Sequence, residues 1–136
     1  MGNYKNIFSS TFPSMLDQVE KTCESMMQKL EELFGCPLKK SFDLKLLFFE
    51  SMNNAIIHGN KNDNNKLVKV DLLISDKYLL FKVKDEGVGF NWKERINSIS
   101  DVNNQDGRGF EIFKIYADKI EYNEDGTSLS IYVKIN

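Results

Sequence analysis

The chain has 136 residues, 41% hydrophobic and 28% charged, with a formal net charge of −2. That length suits one domain with a substantial core, and the slight negative charge argues against a nucleic-acid binder driven by bulk electrostatics. No apolar run approaches the ~20 residues that cross a bilayer, MGNYKNIFSS carries no apolar signal region, and Cys23 and Cys36 lack metal-ligand spacing, so the expectation is one cytoplasmic domain over residues 1–136 with free thiols and no membrane or direct nucleic-acid partner.

In chain order, YKNIFSSTF reads as a short edge strand ended by Pro13. From Ser14, placed as an N-cap, the residues Leu16, Val19, Cys23, Met26, Leu30 and Leu33 recur every three or four positions. That spacing predicts an amphipathic helix, stopped by Gly35 and Pro37. A second helix is expected from Ser41 or Asp43 to Gly59, followed by the polar loop NKNDNN. Val68, Val70, Leu72 and Ile74 alternate with polar residues, and so do Leu79, Phe81 and Val83 after the short connection SDK. The two runs predict a hairpin. A polar segment at 91–106 follows, then a helix entered through glycines at GRGFEIFKIYAD, then two strands around a DG turn in KIEYNEDGTSLSIYVKIN. The order predicts an α+β fold, a two-layer sandwich with helices on one face of a mixed, mostly antiparallel sheet.

Four places carry candidate chemistry. On the second helix, Glu50, Asn54 and His58 recur at i, i+4 and i+8 and share one face of a segment that is apolar nearly all round. An all-apolar helix is expected to be buried, and polar groups in such a setting need partners. Carboxylate and carboxamide oxygens suit a hard cation such as Mg²⁺, and a glutamate there can serve as a general base. In DEGVGF, Asp85 is in register with Leu79, Phe81 and Val83, so its carboxylate is aimed at the core face, where an exocyclic amine of a base is one good donor. Gly87 and Gly89 permit close approach of a ring or phosphate, although D-x-G-x-G also occurs as a plain turn. DGRGF, residues 106–110, opens a helix whose N–H groups, with the Arg108 side chain, make an anion site; a flexible loop and helix start reads as well. Thr127 is in register with Leu129, Ile131 and Val133, which aims its hydroxyl at Asp85 or at a water near a base.

Taken together, E-x-x-x-N-A-x-x-H-G at 50–59, D-x-G-x-G-F at 85–90 and G-R-G-F at 107–110 resemble the GHKL ATPase superfamily with its Bergerat nucleotide-binding fold. The resemblance runs over residues 5–136 and is nearest to the small bacterial anti-sigma-factor serine/threonine kinases of the histidine-kinase-like group. It implies ATP and Mg²⁺ as cofactors, with Glu50 as catalytic base and Asn54 as the Mg²⁺ ligand. Asp85 would read adenine, and Gly87, Gly89, Phe90, Gly107, Arg108, Gly109, Phe110 and Thr127 would complete the nucleotide site. The segment 91–106 would be a lid over ATP, and His58 would hold the helix end. The partners implied are a STAS-domain anti-anti-sigma protein, a sigma factor and a second copy of the chain. A different reading of the same residues is a nucleotide-sensing binding module without catalysis, and a third is an interaction domain that binds no nucleotide.

Overall fold

The computed structural model describes residues 3–34, 41–88, 116–123 and 125–135. Strand β1 (Lys5–Pro13) leads into helix α1 (Leu16–Phe34). Helix α2 (Ser41–Asn54) continues into a five-residue π-helical turn, Ala55–Gly59. Then come β2 (Leu67–Ile74), β3 (Tyr78–Lys84), β4 (Lys119–Tyr122) and β5 (Ser128–Lys134). The spatial order is β1-β2-β3-β5-β4. Every pairing among the described strands is antiparallel, so the sheet contains no parallel pair there and is simpler than the mixed sheet expected. The two-layer α+β sandwich is the observed architecture.

The period-two pattern builds the sheet half of the core. Val68, Val70 and Leu72 of β2, Leu79, Phe81 and Val83 of β3, and Leu129, Ile131 and Val133 of β5 are buried in one cluster with the helices. Their neighbours along the strands, such as Lys69, Lys82 and Lys84, are exposed on the opposite face. The helical half comes from Val19, Cys23, Met26 and Leu30 of α1 and from Leu44, Leu47, Phe48 and Met52 of α2. Phe48 meets Phe81 at the middle of the sheet, with ring centroids 4.7 Å apart and planes tilted by 55°. Burial pushes the Cys23 thiol up to about 12, so it is a packing residue and not a nucleophile. Cys36 lies outside the described residues.

Three local expectations change. Ser14 does not cap α1, which begins two residues later: its hydroxyl donates to the Lys66 carbonyl at 2.7 Å. The ends of the α1 stripe, Leu16 and Leu33, are 52% and 49% exposed, and Thr22 is buried instead with its hydroxyl on the Gln18 carbonyl. Helix α2 is not buried all round. A two-layer sandwich covers one side of a helix, and Phe42 (75% exposed), Phe49 and Ile57 lie on the other. On the far side of the sheet, Leu80 and Tyr132 are buried as cross-strand partners, and Tyr4 packs edge-on to Tyr132 at 6.4 Å.

Because Phe48 is fully enclosed, Phe48→Ala should lower stability by about 3–5 kcal/mol, whereas Ile57→Ala, at the open side, should change it by less than about 1 kcal/mol. Urea denaturation followed by circular dichroism measures both.

Candidate functional site

The site is built where the end of α2 meets the end of β3. On α2, Glu50 and Asn54 are half-buried, one turn apart, and neither side chain has a hydrogen bond or ion pair among the described residues. Their helix neighbours Leu47, Ser51 and Met52 are buried. Ser51 is buried without penalty because its hydroxyl donates to the Leu47 carbonyl at 2.7 Å. Past Asn54 the helix widens. The Asn60 N–H bonds the Ala55 carbonyl at 2.8 Å and the Asn62 N–H bonds the Ile56 carbonyl at 2.9 Å. Such π-type turns recur at functional sites because the added residue re-aims the side chains beyond it. Lys61 and Asn62, at φ 54° and 58°, then turn the chain towards β2.

Asp85 stands at the end of β3, where its N–H bonds the Thr127 carbonyl at 2.9 Å and so extends the β3–β5 ladder. Its Oδ1 accepts the Gly87 N–H at 2.8 Å, closing a tight turn. Its Oδ2 lies against Gly59 and accepts nothing from the described residues: a Cβ on Gly59 would sit 2.3 Å from it. A Cβ on Gly87 would sit 2.0 Å from the Gly59 carbonyl oxygen, so the two glycines let the helix end and the turn interlock. Burial pushes the Asp85 carboxyl above its usual range, and Asp125 adds to this; the Gly87 N–H and Lys66 pull the other way. A half-buried carboxylate oxygen with no protein donor is suited to an N–H donor on a ligand.

The sequence-derived residues divide into three groups. Glu50 and Asn54 stand on the helix that runs on to Gly59, and Asp85 and Gly87 meet Gly59 from the β3 side. Thr127 lies beside it, but its hydroxyl donates to Asp125 at 2.7 Å and accepts from Asn123 at 3.1 Å, and its tie to Asp85 runs through its backbone carbonyl instead of its hydroxyl. Gly89, Phe90, Gly107, Arg108, Gly109, Phe110 and the segment 91–106 lie outside the described residues. Two residues gain weight that the sequence did not give them. Gly59 read as a helix stop, and Asn60 read as the first residue of a polar loop. Asn60 is fully buried: its Oδ1 accepts the Glu86 N–H at 2.7 Å, and its Nδ2 donates to Ser14 Oγ at 2.8 Å and to the Leu67 carbonyl at 3.0 Å. An Asn in a run such as NKNDNN carries no sequence signal of burial.

The two glycines should respond differently. Gly87→Ala drives a methyl into backbone, which cannot move cheaply, and should cost about 2–4 kcal/mol of stability. Gly59→Ala meets the Asp85 carboxyl group, a side chain rather than backbone, and should be milder, about 1–2 kcal/mol, while displacing that carboxyl from its place. Thermal melts of the two variants, read beside nucleotide-binding titrations, check the order.

The histidine kinase-like ATPase domain family matches residues 12–133, from the end of β1 to the last strand. The anti-sigma F factor of Geobacillus stearothermophilus is 30% identical over 97 residues, covering 68% of this chain and 66% of that protein. An anti-sigma F factor of Clostridium perfringens (strain 13 / Type A) is 29% identical over 101 residues, covering 69% of this chain and 72% of that protein. The match therefore spans just under two thirds of the Geobacillus relative's length. Among solved structures, the histidine kinase domain from the Erythrobacter litoralis EL346 blue-light activated histidine kinase has the same fold, with a TM-score of 0.57 at 15% identity over 90% of this chain and 61% of that one. The family match covers both arms of the junction between α2 and β3, and this chain belongs to the histidine kinase-like ATPase domain family, the GHKL group that its motifs resemble.

Proposed function

We propose that this protein binds ATP with Mg²⁺ and acts as a cytoplasmic serine/threonine protein kinase of the anti-sigma type. Its phosphoacceptor would be a STAS-domain anti-anti-sigma protein, and a dimer of the chain would hold a sigma factor until the unphosphorylated antagonist displaces it. The family match supports nucleotide binding, and the name shared by the relatives supports the regulatory role. The observation that carries the nucleotide reading is Asp85 Oδ2, on a half-buried side chain, beside glycine and without a donor among the described residues. An adenine amine supplies the missing donor.

Chemistry then falls to the other arm. Glu50 takes the proton from an incoming serine hydroxyl as its oxygen attacks the γ-phosphorus. The bond to the β,γ-bridging oxygen breaks and ADP leaves. Asn54 fits a Mg²⁺ held mainly by phosphates and water, since its carboxamide is half-exposed and unpaired and no cluster of three or more His, Cys, Asp or Glu ligands occurs among the described residues. Bound there, Mg²⁺ would neutralise phosphate charge. By the resemblance of the G-R-G-F motif, amides at 107–110 and Arg108 would complete the phosphate contacts. No helix among the described residues is long and apolar enough to cross a membrane.

Incubating the protein with Mg²⁺, labelled ATP and a STAS-domain protein should yield phosphoserine on the latter. Glu50→Ala should slow transfer by about 10²–10⁴-fold and leave ATP affinity within about threefold, because Glu50 meets the hydroxyl and not the base. Equal loss of both would make Glu50 structural, and ATP binding without any transfer by the wild type would point to the nucleotide-sensing module.

A pH series tests Asp85 separately. The carboxylate form accepts the amine, and its carboxyl titrates above the usual range. ATP affinity should therefore weaken as pH falls, beginning nearer neutrality than an ordinary aspartate allows. Asp85→Asn should bind weakly and lack that component of the pH dependence. Calorimetry of both proteins at matched pH removes the titration of the phosphates themselves.

A further inference from the structure

We propose that Asn60 is the positioning residue for adenine discrimination: its buried carboxamide fixes the turn that carries Asp85 against the helix end that follows Asn54. The assignment rests on the reading of the junction as an ATP site. Asn60 is 0% exposed, and its bonds reach Ala55, Asp63, Ser14, Leu67 and Glu86. Its backbone N–H closes the π-turn on Ala55, and its carbonyl accepts the Asp63 N–H at 3.0 Å. Its Nδ2 holds the β1–α1 corner through Ser14 Oγ and the start of β2 through the Leu67 carbonyl. Its Oδ1 holds the Glu86 N–H, in the peptide that joins Asp85 to Glu86. The Glu86 carboxylate returns to the same place by accepting the Leu67 N–H.

The consequence for Asp85 is geometric. Asp85 Oδ1 is spent on Gly87 within the turn, so the direction of Oδ2 follows the orientation of the whole turn. That orientation is set on one side by the Thr127 carbonyl and on the other by Asn60. Adenine presents an amine donor where guanine presents a carbonyl acceptor, so a correctly aimed carboxylate separates the two bases. Aspartate lacks both N–H donors and would face the Leu67 carbonyl with a buried charge, and leucine, of similar shape, would take the side-chain partners from the Leu67 carbonyl and the Glu86 N–H.

The test is the ratio of ATP to GTP affinity, measured by calorimetry with Mg²⁺ on the full chain at a temperature where each variant is folded by circular dichroism. A loss of fold stability alone scales both affinities together and leaves the ratio unchanged. Asn60→Ser should lower the ratio roughly tenfold, the share that one misdirected hydrogen bond can carry, and should have no further effect on it in an Asp85→Asn background. Ser14→Ala removes one anchor of Nδ2 and keeps the Leu67 one, so it should fold and lower the ratio by a smaller factor, about twofold to threefold. A wild-type ratio in folded Asn60→Ser overturns the assignment while leaving the ATP reading intact. If Asn60→Ser does not fold, Ser14→Ala decides, and an unchanged ratio there overturns it. Wild-type protein with no preference for ATP would overturn the ATP reading and this assignment with it.

Discussion

The site depends on one close approach. The carbonyl of Gly59 occupies the space that a side chain at position 87 would need, and the Asp85 carboxylate occupies the space that a side chain at position 59 would need. Two elements with ordinary side chains cannot meet this tightly, since interiors are already packed to crystal-like density. Everything else near the junction serves the contact. The π-turn delivers Gly59 to β3, and the Thr127 carbonyl and the Asn60 carboxamide hold the opposing turn from its two sides.

That contact carries a penalty in stability. Asp85 has a folded-state carboxyl raised by burial, so the folded protein binds a proton there more tightly than the unfolded chain does. By linkage, the ionised side chain destabilises the fold at neutral pH, and this is relieved as pH falls through the raised value. The sandwich beneath offsets the penalty: Phe48 on Phe81, and the buried rows of β2, β3 and β5, hold α2 against the sheet. Glu50 and Asn54 thus stand on a helix packed against the sheet, and Asp85 stands in the turn that directly follows β3.

Much of the fold was readable because its signals are local. Alternation over Val68–Val70–Leu72 and Leu79–Phe81–Val83 specifies which face is buried, and a one-residue slip would expose all of it, so register follows from pattern. The DG turn takes a left-handed glycine, Gly126 at φ 77°, between β4 and β5 as its residues dictate. Helix α2 misled in a revealing way. Its composition is apolar all round, yet a sandwich with one sheet has only one face to offer, and the uncovered side is where Glu50 and Asn54 stand.

Residue types at set spacings named the candidate chemistry: Glu50 and Asn54 one turn apart, and Asp85 at a strand end in register with the core. Those depend on helical and strand periods, which the chain imposes on itself over a few residues. Whether a polar side chain is buried, and by what, depends on segments far away along the chain. Asn60 meets Glu86 across 26 positions and Ser14 across 46. Nothing within NKNDNN distinguishes its first asparagine from the others, and Ser14 and Thr127 each spend their hydroxyl on a partner that local pattern did not suggest. The sequence determined which groups could do the chemistry; the tertiary structure decided how the turn that carries Asp85 is held, because Ser14, Leu67 and Glu86 must converge on one buried carboxamide.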